Sequence, residues 1–286
     1  PGTAMGESMA EAGEASPHLD QKEQRQAAAG APMGALVIHE IVRDQGEEEL
    51  ERSCGGLAWS GIAAGLSIGF SFVTQATLQA QLPDTPWRPL LAGFGYAVGF
   101  LIVILGRQQL FTETTLTAVI PVLTRRDLRT LLLALRVWVI VLTANLAATW
   151  LFARITVIED LFPSATLQAM TALSAGTMDA PFWRTVLTGG LAGWLIGLMV
   201  WLLPSARASR APIIILLTYV IAVCQFPHII AGSVEAAFGV FVGHATIGDY
   251  VFRFLLPVFL GNAAGGTVLA ALLNHAPLAG KLTPRE

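Results

Sequence analysis

Two apolar runs in this chain have the wrong length for a membrane. Pro89–Leu123 is 35 residues long with only Arg107 and Glu113 charged, and Ala211–Gly248 is 38 residues long with only Glu235 charged. A crossing needs about 20 apolar residues to traverse ~30 Å of hydrocarbon. As straight helices the two runs would measure roughly 53 and 57 Å, which is more than tilt absorbs. Half of either run is too short to span alone. The solution left is a single crossing made of two half-helices joined by non-helical backbone. Residues 106-GRQQLFTETT-115 interrupt the first run with Gly, Arg and two Gln, and Pro227 and Gly232 bracket His228 in the second. Irregular backbone at membrane depth persists only where protein covers it or where it lines a cavity. Two such breaks therefore predict a pocket or a pathway.

Four further runs fit plain crossings: Gly55–Leu78, Thr130–Ala153, Thr185–Leu203 and Val251–Leu273. The expected fold class is an all-α membrane protein of six transmembrane helices, the second and fifth broken. Composition agrees, with 54% hydrophobic and 13% charged residues against about 25% charged in soluble domains. A net charge of −3 argues against nucleic acid as a partner. Cys54 and Cys224 are too few for a disulfide framework or a metal site, and Cys224, in an apolar run, reads as a packed thiol. No HExxH, GxSxG or paired-carboxylate pattern points to an enzyme. No cofactor and no metal are expected.

The flanks divide into segments. Residues 1–8 read as an expression remnant, and no cleavable signal sequence precedes the first apolar run. Residues 9–52 form an N-terminal tail, aperiodic and disordered in character at first. Over 33–52, Leu36, Val37, Ile38, Ile41 and Val42 fall on one helical side. This is either an interfacial helix on the membrane or an exposed amphipathic lead-in. The channel domain is expected over 53–275 and a short tail over 276–286. With the N-terminus inside, the inner flanks carry nine Lys and Arg and the outer loops two or three, so both termini are placed in the cytoplasm.

The halves resemble each other. Gly55-Gly56-Leu57-Ala58 is echoed by Gly189-Gly190-Leu191-Ala192. Thr112 precedes Asn145 by 33 residues and His228 precedes Asn262 by 34, and each asparagine follows an arginine, Arg136 or Arg253, by nine. Three crossings per half would set the halves in opposite orientation, a 3+3 inverted repeat of aquaporin-like kind.

With 110-LFT-112 after a glycine-ended half-helix, 226-FPHIIA-231 and 257-PVFLGNAAGG-266 in this order, residues ~50–275 resemble the formate/nitrite transporter family. The resemblance implies a homopentamer with one pore per protomer, passing small monovalent acids or anions such as formate, nitrite or hydrosulfide. It makes His228 the central pore histidine and Thr112 the threonine facing it. The chain also departs from the family's pattern. Pro227 and Gly232 stand where the family carries glutamate and asparagine, Gly193 where the fourth span carries a second asparagine, and Thr177 where a lysine lies before that span. The resemblance is to a divergent subgroup, and the fold carries over better than the solute.

Each singled-out residue has two readings. His228 is either a satisfied core histidine or a neutral pore ring that donates one hydrogen bond to a passing oxygen. Thr112 caps the following half-helix, a role compatible with anion binding at that helix start. Glu113 sits in the first turn, where the helix dipole favours it, and Arg107 is its expected ion-pair partner. Leu110, Phe111, Phe226 and Ile221 flank the breaks and would narrow and dry a pore, or simply pack. Asn145 and Asn262 are expected to satisfy backbone groups at the breaks. Glu235, two turns after His228, lines an outer vestibule or pairs with an arginine. The function expected is an inner-membrane channel or transporter for small monovalent weak acids or anions. The alternative is a transport-deficient or neutral-solute member acting as a membrane scaffold or sensor.

Overall fold

The computed structural model describes residues 33–281; residues 1–8, 9–32 and the last five of the C-terminal tail lie outside this range. An N-terminal helix α1 (Ala35–Glu51) precedes α2 (Cys54–Gln81), α3 (Arg88–Leu105), α4 (Phe111–Thr117), α5 (Val119–Arg125) and α6 (Leu128–Thr156). The second half follows with α7 (Ser164–Gly176), α8 (Phe182–Ala206), α9 (Arg210–Val223) and α10 (Ala231–Phe241). The last helix, α11 (Ile247–Gly280), contains π-helical turns at Tyr250–Leu255 and Gly265–Leu272. Among the described residues five helices are long and apolar enough to cross a membrane: α2, α3, α6, α8 and α11. The apolar α9 and α10 are shorter, and the second break, residues 224–230, separates them.

Local chemistry sets the boundaries. Ser53 accepts the Gly56 N–H at 3.1 Å to start α2, and the Asp127 carboxylate accepts the Thr130 N–H at 2.9 Å to start α6. Pro89 sits in the first turn of α3, where its missing N–H costs nothing. Arg126, at φ 53°, ends α5 in the left-handed conformation.

Packing within each half is set by glycines four residues apart. Gly61, Gly65 and Gly69 on α2 face α6, and Gly189, Gly193 and Gly197 on α8 face α11. A Cβ at Gly65 would meet the Asn145 carbonyl oxygen, and one at Gly193 would meet that of Asn262. The helices approach closely because no side chain intervenes. This stripe replaces the GGLA match as the repeat signature, since Gly61 rather than Gly55 is the partner of Gly189.

The N-terminal helix is docked on the protein along one face. Ile38 and Val42 pack against Leu116, Ile120, Val200, Trp201, Ala270, Ala271 and Leu278. His39, fully buried, places Nε2 3.0 Å from Nδ1 of His275, and its Nδ1 lies 3.1 Å from Glu40 Oε1. In the second half, α7 occupies the place that α1 holds in the first, immediately before the long helix. The repeat is thus one element longer than three crossings suggest. Cys224 is exposed rather than packed, because the break turns its position outward.

Candidate functional site

The two breaks are built the same way. In the first, Arg107 takes φ 50°, its N–H donates to Ile104 O, and the Gln108 N–H donates to Val103 O. In the second, Gln225 takes φ 53°, its N–H donates to Ala222 O, and the Phe226 N–H donates to Ile221 O. A left-handed residue stops each incoming helix, since an L-residue pays about 1–2 kcal/mol there and cannot propagate the turn.

One asparagine then anchors each break. Asn145 Oδ1 accepts the Phe111 N–H at 2.9 Å, while its Nδ2 donates to Gln109 O at 3.0 Å and Gly61 O at 2.7 Å. Asn262 Oδ1 accepts the Ile229 N–H at 2.8 Å, while its Nδ2 donates to Pro227 O and Gly189 O, both at 2.9 Å. Both amides are fully buried and use all the partners an amide needs across a break. These bonds fix the register between halves: Phe111 matches Ile229, and Leu110 matches His228. Thr112 therefore matches Ile230, two positions off the pairing of Thr112 with His228 drawn from sequence separation.

The halves differ at the next position. The Gln109 N–H donates to Ser60 Oγ at 3.0 Å. Its counterpart, Pro227, has no N–H, and the counterpart of Ser60, Thr188, turns its hydroxyl onto the Arg184 carbonyl of its own helix at 2.8 Å. Proline fits here because the one donor it removes is the one that would lack an acceptor.

The anchored breaks meet at two side chains. Thr112 Oγ1 lies 2.8 Å from His228 Nε2, and neither residue exposes more than 1% of its surface. His228 Nδ1 accepts backbone N–H groups from Ile230 at 3.3 Å and Ala231 at 3.2 Å. With Nδ1 an acceptor, the ring is the neutral tautomer carrying hydrogen on Nε2, which donates to Thr112. The Thr112 hydroxyl hydrogen is then the one left to aim elsewhere. The ring stands edge to face with Phe100, centroids 5.0 Å apart.

A threonine–glutamate contact flanks the meeting point on each side, with the roles exchanged. On the α1 side Thr117 Oγ1 donates to Glu49 Oε2 at 2.6 Å, and on the other Thr177 Oγ1 donates to Glu235 Oε2 at 3.2 Å. By the registers above, Glu49 matches Thr177 and Thr117 matches Glu235. The α1 side opens into a cavity of about 260 Å³ whose lining includes Glu49, Gln108, Gln109, Glu113, Arg52 and Arg107. Burial pushes the Glu49 carboxyl up to about 7, against the opposing pull of its bonds from Thr117 and Gln109.

The remaining expected site residues take mixed places. Leu110 is fully buried at the start of α4, with its carbonyl accepting the Glu113 and Thr114 N–H groups. Phe111 packs against Trp138 and Phe259. Ile221 is buried and Phe226 half-buried at the second turn. Gly232 faces the Phe254 ring. Gly193 corrects an expectation: it backs onto the Asn262 main chain, so an asparagine side chain has no room there. Among the described ion pairs none joins Arg107 to Glu113; Arg107 is exposed, because its left-handed backbone throws it outward. Glu235 finds a threonine rather than an arginine. Arg136 and Arg253 occupy matching positions without matching roles. Arg136 donates to Leu50 O at 2.6 Å, and Arg253 lies 3.6 Å from Asp249. Two further residues at the site were not expected: Gln109, signalled only by its place in the break, and Glu49, which arrives from α1 with no local signal.

The formate/nitrite transporter profile matches residues 36–276. The chain belongs to the formate/nitrite transporter family. Its inner membrane protein YfdC relative from Escherichia coli K12 is 40% identical over 247 residues, covering 86% of this chain and 80% of that protein. The formate channel FocA of Haemophilus influenzae is 23% identical, over 76% of this chain and 84% of its own. Among solved structures, a pentameric formate channel with formate bound aligns with TM-score 0.64 at 21% identity, covering 83% of this chain and 99% of that one. An FNT family ion channel aligns with TM-score 0.65 at 20% identity. Membership makes this a multi-pass helical transport protein, not an enzyme. Within the formate/nitrite transporter fold, the Thr112–His228 contact occupies the junction of the two broken crossings.

Proposed function

We propose that the protein is an inner-membrane channel or transporter for small monovalent weak acids or anions of the formate, nitrite or hydrosulfide kind. It assembles as a homopentamer with one conduit per protomer, its two halves inverted and both termini in the cytoplasm. The observation that carries the reading is the Thr112–His228 contact held where the two broken crossings meet. A neutral imidazole and a hydroxyl offer hydrogen bonds to a small oxyanion without trapping it as an ion pair would. Leu110, Ile221 and Phe226 keep the approach apolar, so a solute must shed water to pass. The outward-facing Trp59, Leu132, Val139, Leu187 and Phe252 suit a surface covered by lipid or by neighbouring subunits. The Lys and Arg bias sets the cytoplasmic face, the YfdC relative suggests the inner membrane, and the formate-bound pentamer suggests the assembly.

Purified protein in liposomes, challenged with formate, nitrite and hydrosulfide gradients, tests this. Wild-type vesicles should pass at least one of the three, and Thr112→Val or His228→Phe should lower that flux about tenfold or more, the scale of one lost hydrogen bond in a dry passage. Flux untouched by both substitutions would remove the ring and the hydroxyl from the path.

A second reading has its own support. Thr112 and His228 touch directly, the lysine position is Thr177, and carboxyl groups stand on both sides of the junction. These favour a neutral solute, or a member that has ceased to transport and serves as a membrane scaffold or sensor. Vesicles impermeable to all three anions would select this reading.

A further inference from the structure

The floor of the α1-side vestibule contains hydrogen-bond acceptors that nothing satisfies. Gln109 is only 8% exposed, and its Oε1 is buried without a partner; the same holds for Gln108 Oε1. Gln109 Nε2 donates to Glu49 Oε1 at 3.4 Å, which turns the amide oxygen away from Glu49. The Glu49 and Glu113 carboxyl groups line the same cavity. Among the described residues neither takes part in an ion pair, although Arg52, Arg107 and Arg210 stand around the cavity. Thr117 Oγ1 and Gln109 Nε2 are already spent on Glu49, and the arginines at the rim reach neither Gln Oε1 atom.

An orphaned buried acceptor costs about 1–3 kcal/mol, and an uncompensated buried carboxylate costs more. Four acceptor groups around one cavity call for a guest that brings charge or donors and no acceptor of its own. At the floor a second anion would add only lone pairs to acceptors that already lack donors, whereas a cation meets them directly. We propose that this floor is a binding site for a small monovalent cation, held by the Glu49 and Glu113 carboxylates and the Gln108 and Gln109 amide oxygens. Hard oxygen ligands suit an alkali ion, and the same acceptors suit the N–H groups of ammonium. Among the described residues no three His, Cys, Asp or Glu side chains converge in a manner suited to a metal ion, which is why the monovalent class is favoured. Glu113 directly follows Thr112, so a cation on the floor would also neutralise the charge nearest the junction. The site does not depend on which solute the junction passes.

The test uses the full chain in nanodiscs at about pH 8, above the Glu49 range. Tetraethylammonium chloride, too bulky and without donors, is exchanged at constant ionic strength for ammonium, potassium or sodium chloride, and the thermal unfolding midpoint is read. At least one small cation should raise the midpoint saturably. Its apparent affinity should fall tenfold or more in Glu49→Gln and Glu113→Gln, fall less in Gln109→Leu, and stay unchanged in Glu235→Gln, which alters a carboxyl elsewhere. An ammonium response without an alkali response identifies donors as the requirement, and the reverse identifies simple ion coordination. If no small cation outperforms tetraethylammonium, or if the vestibule variants respond as wild type does, the site is refuted. Vesicle flux of anions, measured separately, bears on the transport reading alone.

Discussion

The first break and the second share their frame and differ in their filling. Each has a left-handed residue, a widened turn and an asparagine bonded to three backbone groups. At matching positions the first presents Gln109 and Leu110 where the second presents Pro227 and His228. The first is followed by Thr112 and Glu113, the second by Ile230 and Ala231. Symmetry therefore resides in what holds the backbone, and asymmetry in the side chains presented where the breaks meet. A frame can be shared because backbone groups are the same in both halves. Only one half supplies an ionisable ring, His228, and it meets the other half at Thr112.

Removing the anchors should break the comparison most severely. Asn145→Leu and Asn262→Leu each delete three hydrogen bonds and orphan three buried backbone groups, a loss of roughly 3–6 kcal/mol. Both should lower the yield of folded protein and its thermal midpoint by similar amounts. Tolerance of one and not the other would show that the frames are only superficially alike. Next in size is Gly193→Asn, which restores the residue type the family resemblance suggests. With the Asn262 main chain behind it, it should cost about 1–3 kcal/mol or more through overpacking, read from the same thermal unfolding. A neutral effect would mean that α8 and α11 separate easily.

Ser60→Ala against Thr188→Ala sharpens the difference between halves. Losing the Ser60 hydroxyl orphans the Gln109 N–H, at about 1–2 kcal/mol. Losing Thr188 removes a bond to its own helix only, worth a few tenths. Equal effects would contradict the account of Pro227. Comparable with the loss of the Ser60 hydroxyl is the effect of pH on Glu49. Its folded value is raised to about 7 from an ordinary 4.5, so its proton is held more tightly in the folded state. The penalty is absent below about pH 4.5, grows as pH rises, and is complete above about 7. Glu49→Gln should thus gain in thermal midpoint on wild type over that interval, by roughly 2–4 °C, and the gain should vanish in acid. In ammonium or potassium the gain should shrink if the vestibule holds a cation.

Much of the fold was legible because membrane solvation leaves few options. Run length singled out the two interrupted runs, and Gly, Pro and paired Gln marked the breaks, although α3, expected to be too short, is by itself long and apolar enough to cross. The anchoring asparagines were legible as polar groups with no polar neighbours in sequence. The register was not, since spacing in sequence does not say which amide bonds which backbone group. The GGLA echo misled for the same reason, while the fourfold-spaced glycines at 61, 65 and 69 and at 189, 193 and 197 carried the true match. At the junction, Thr112 and His228 were legible from motif order. Glu49 was not, because it reaches the vestibule from a helix whose sequence reads as a surface lead-in. The Arg107–Glu113 pair failed on backbone geometry, as a left-handed arginine points away from the helix that follows.

The contact between His39 and His275 has a consequence for timing during synthesis. The helix carrying His39 leaves the ribosome well before the long helices that follow it, yet its buried face needs Trp201, Ala271 and Leu278 before it can dock. Nearly the whole chain must be made and inserted while this helix waits undocked. Glu49 rides on it, so the acceptor-lined vestibule is the last part of the molecule to be completed. A polypeptide stopped before residue 270 would have both breaks and both anchors in place, and a mouth still unfinished.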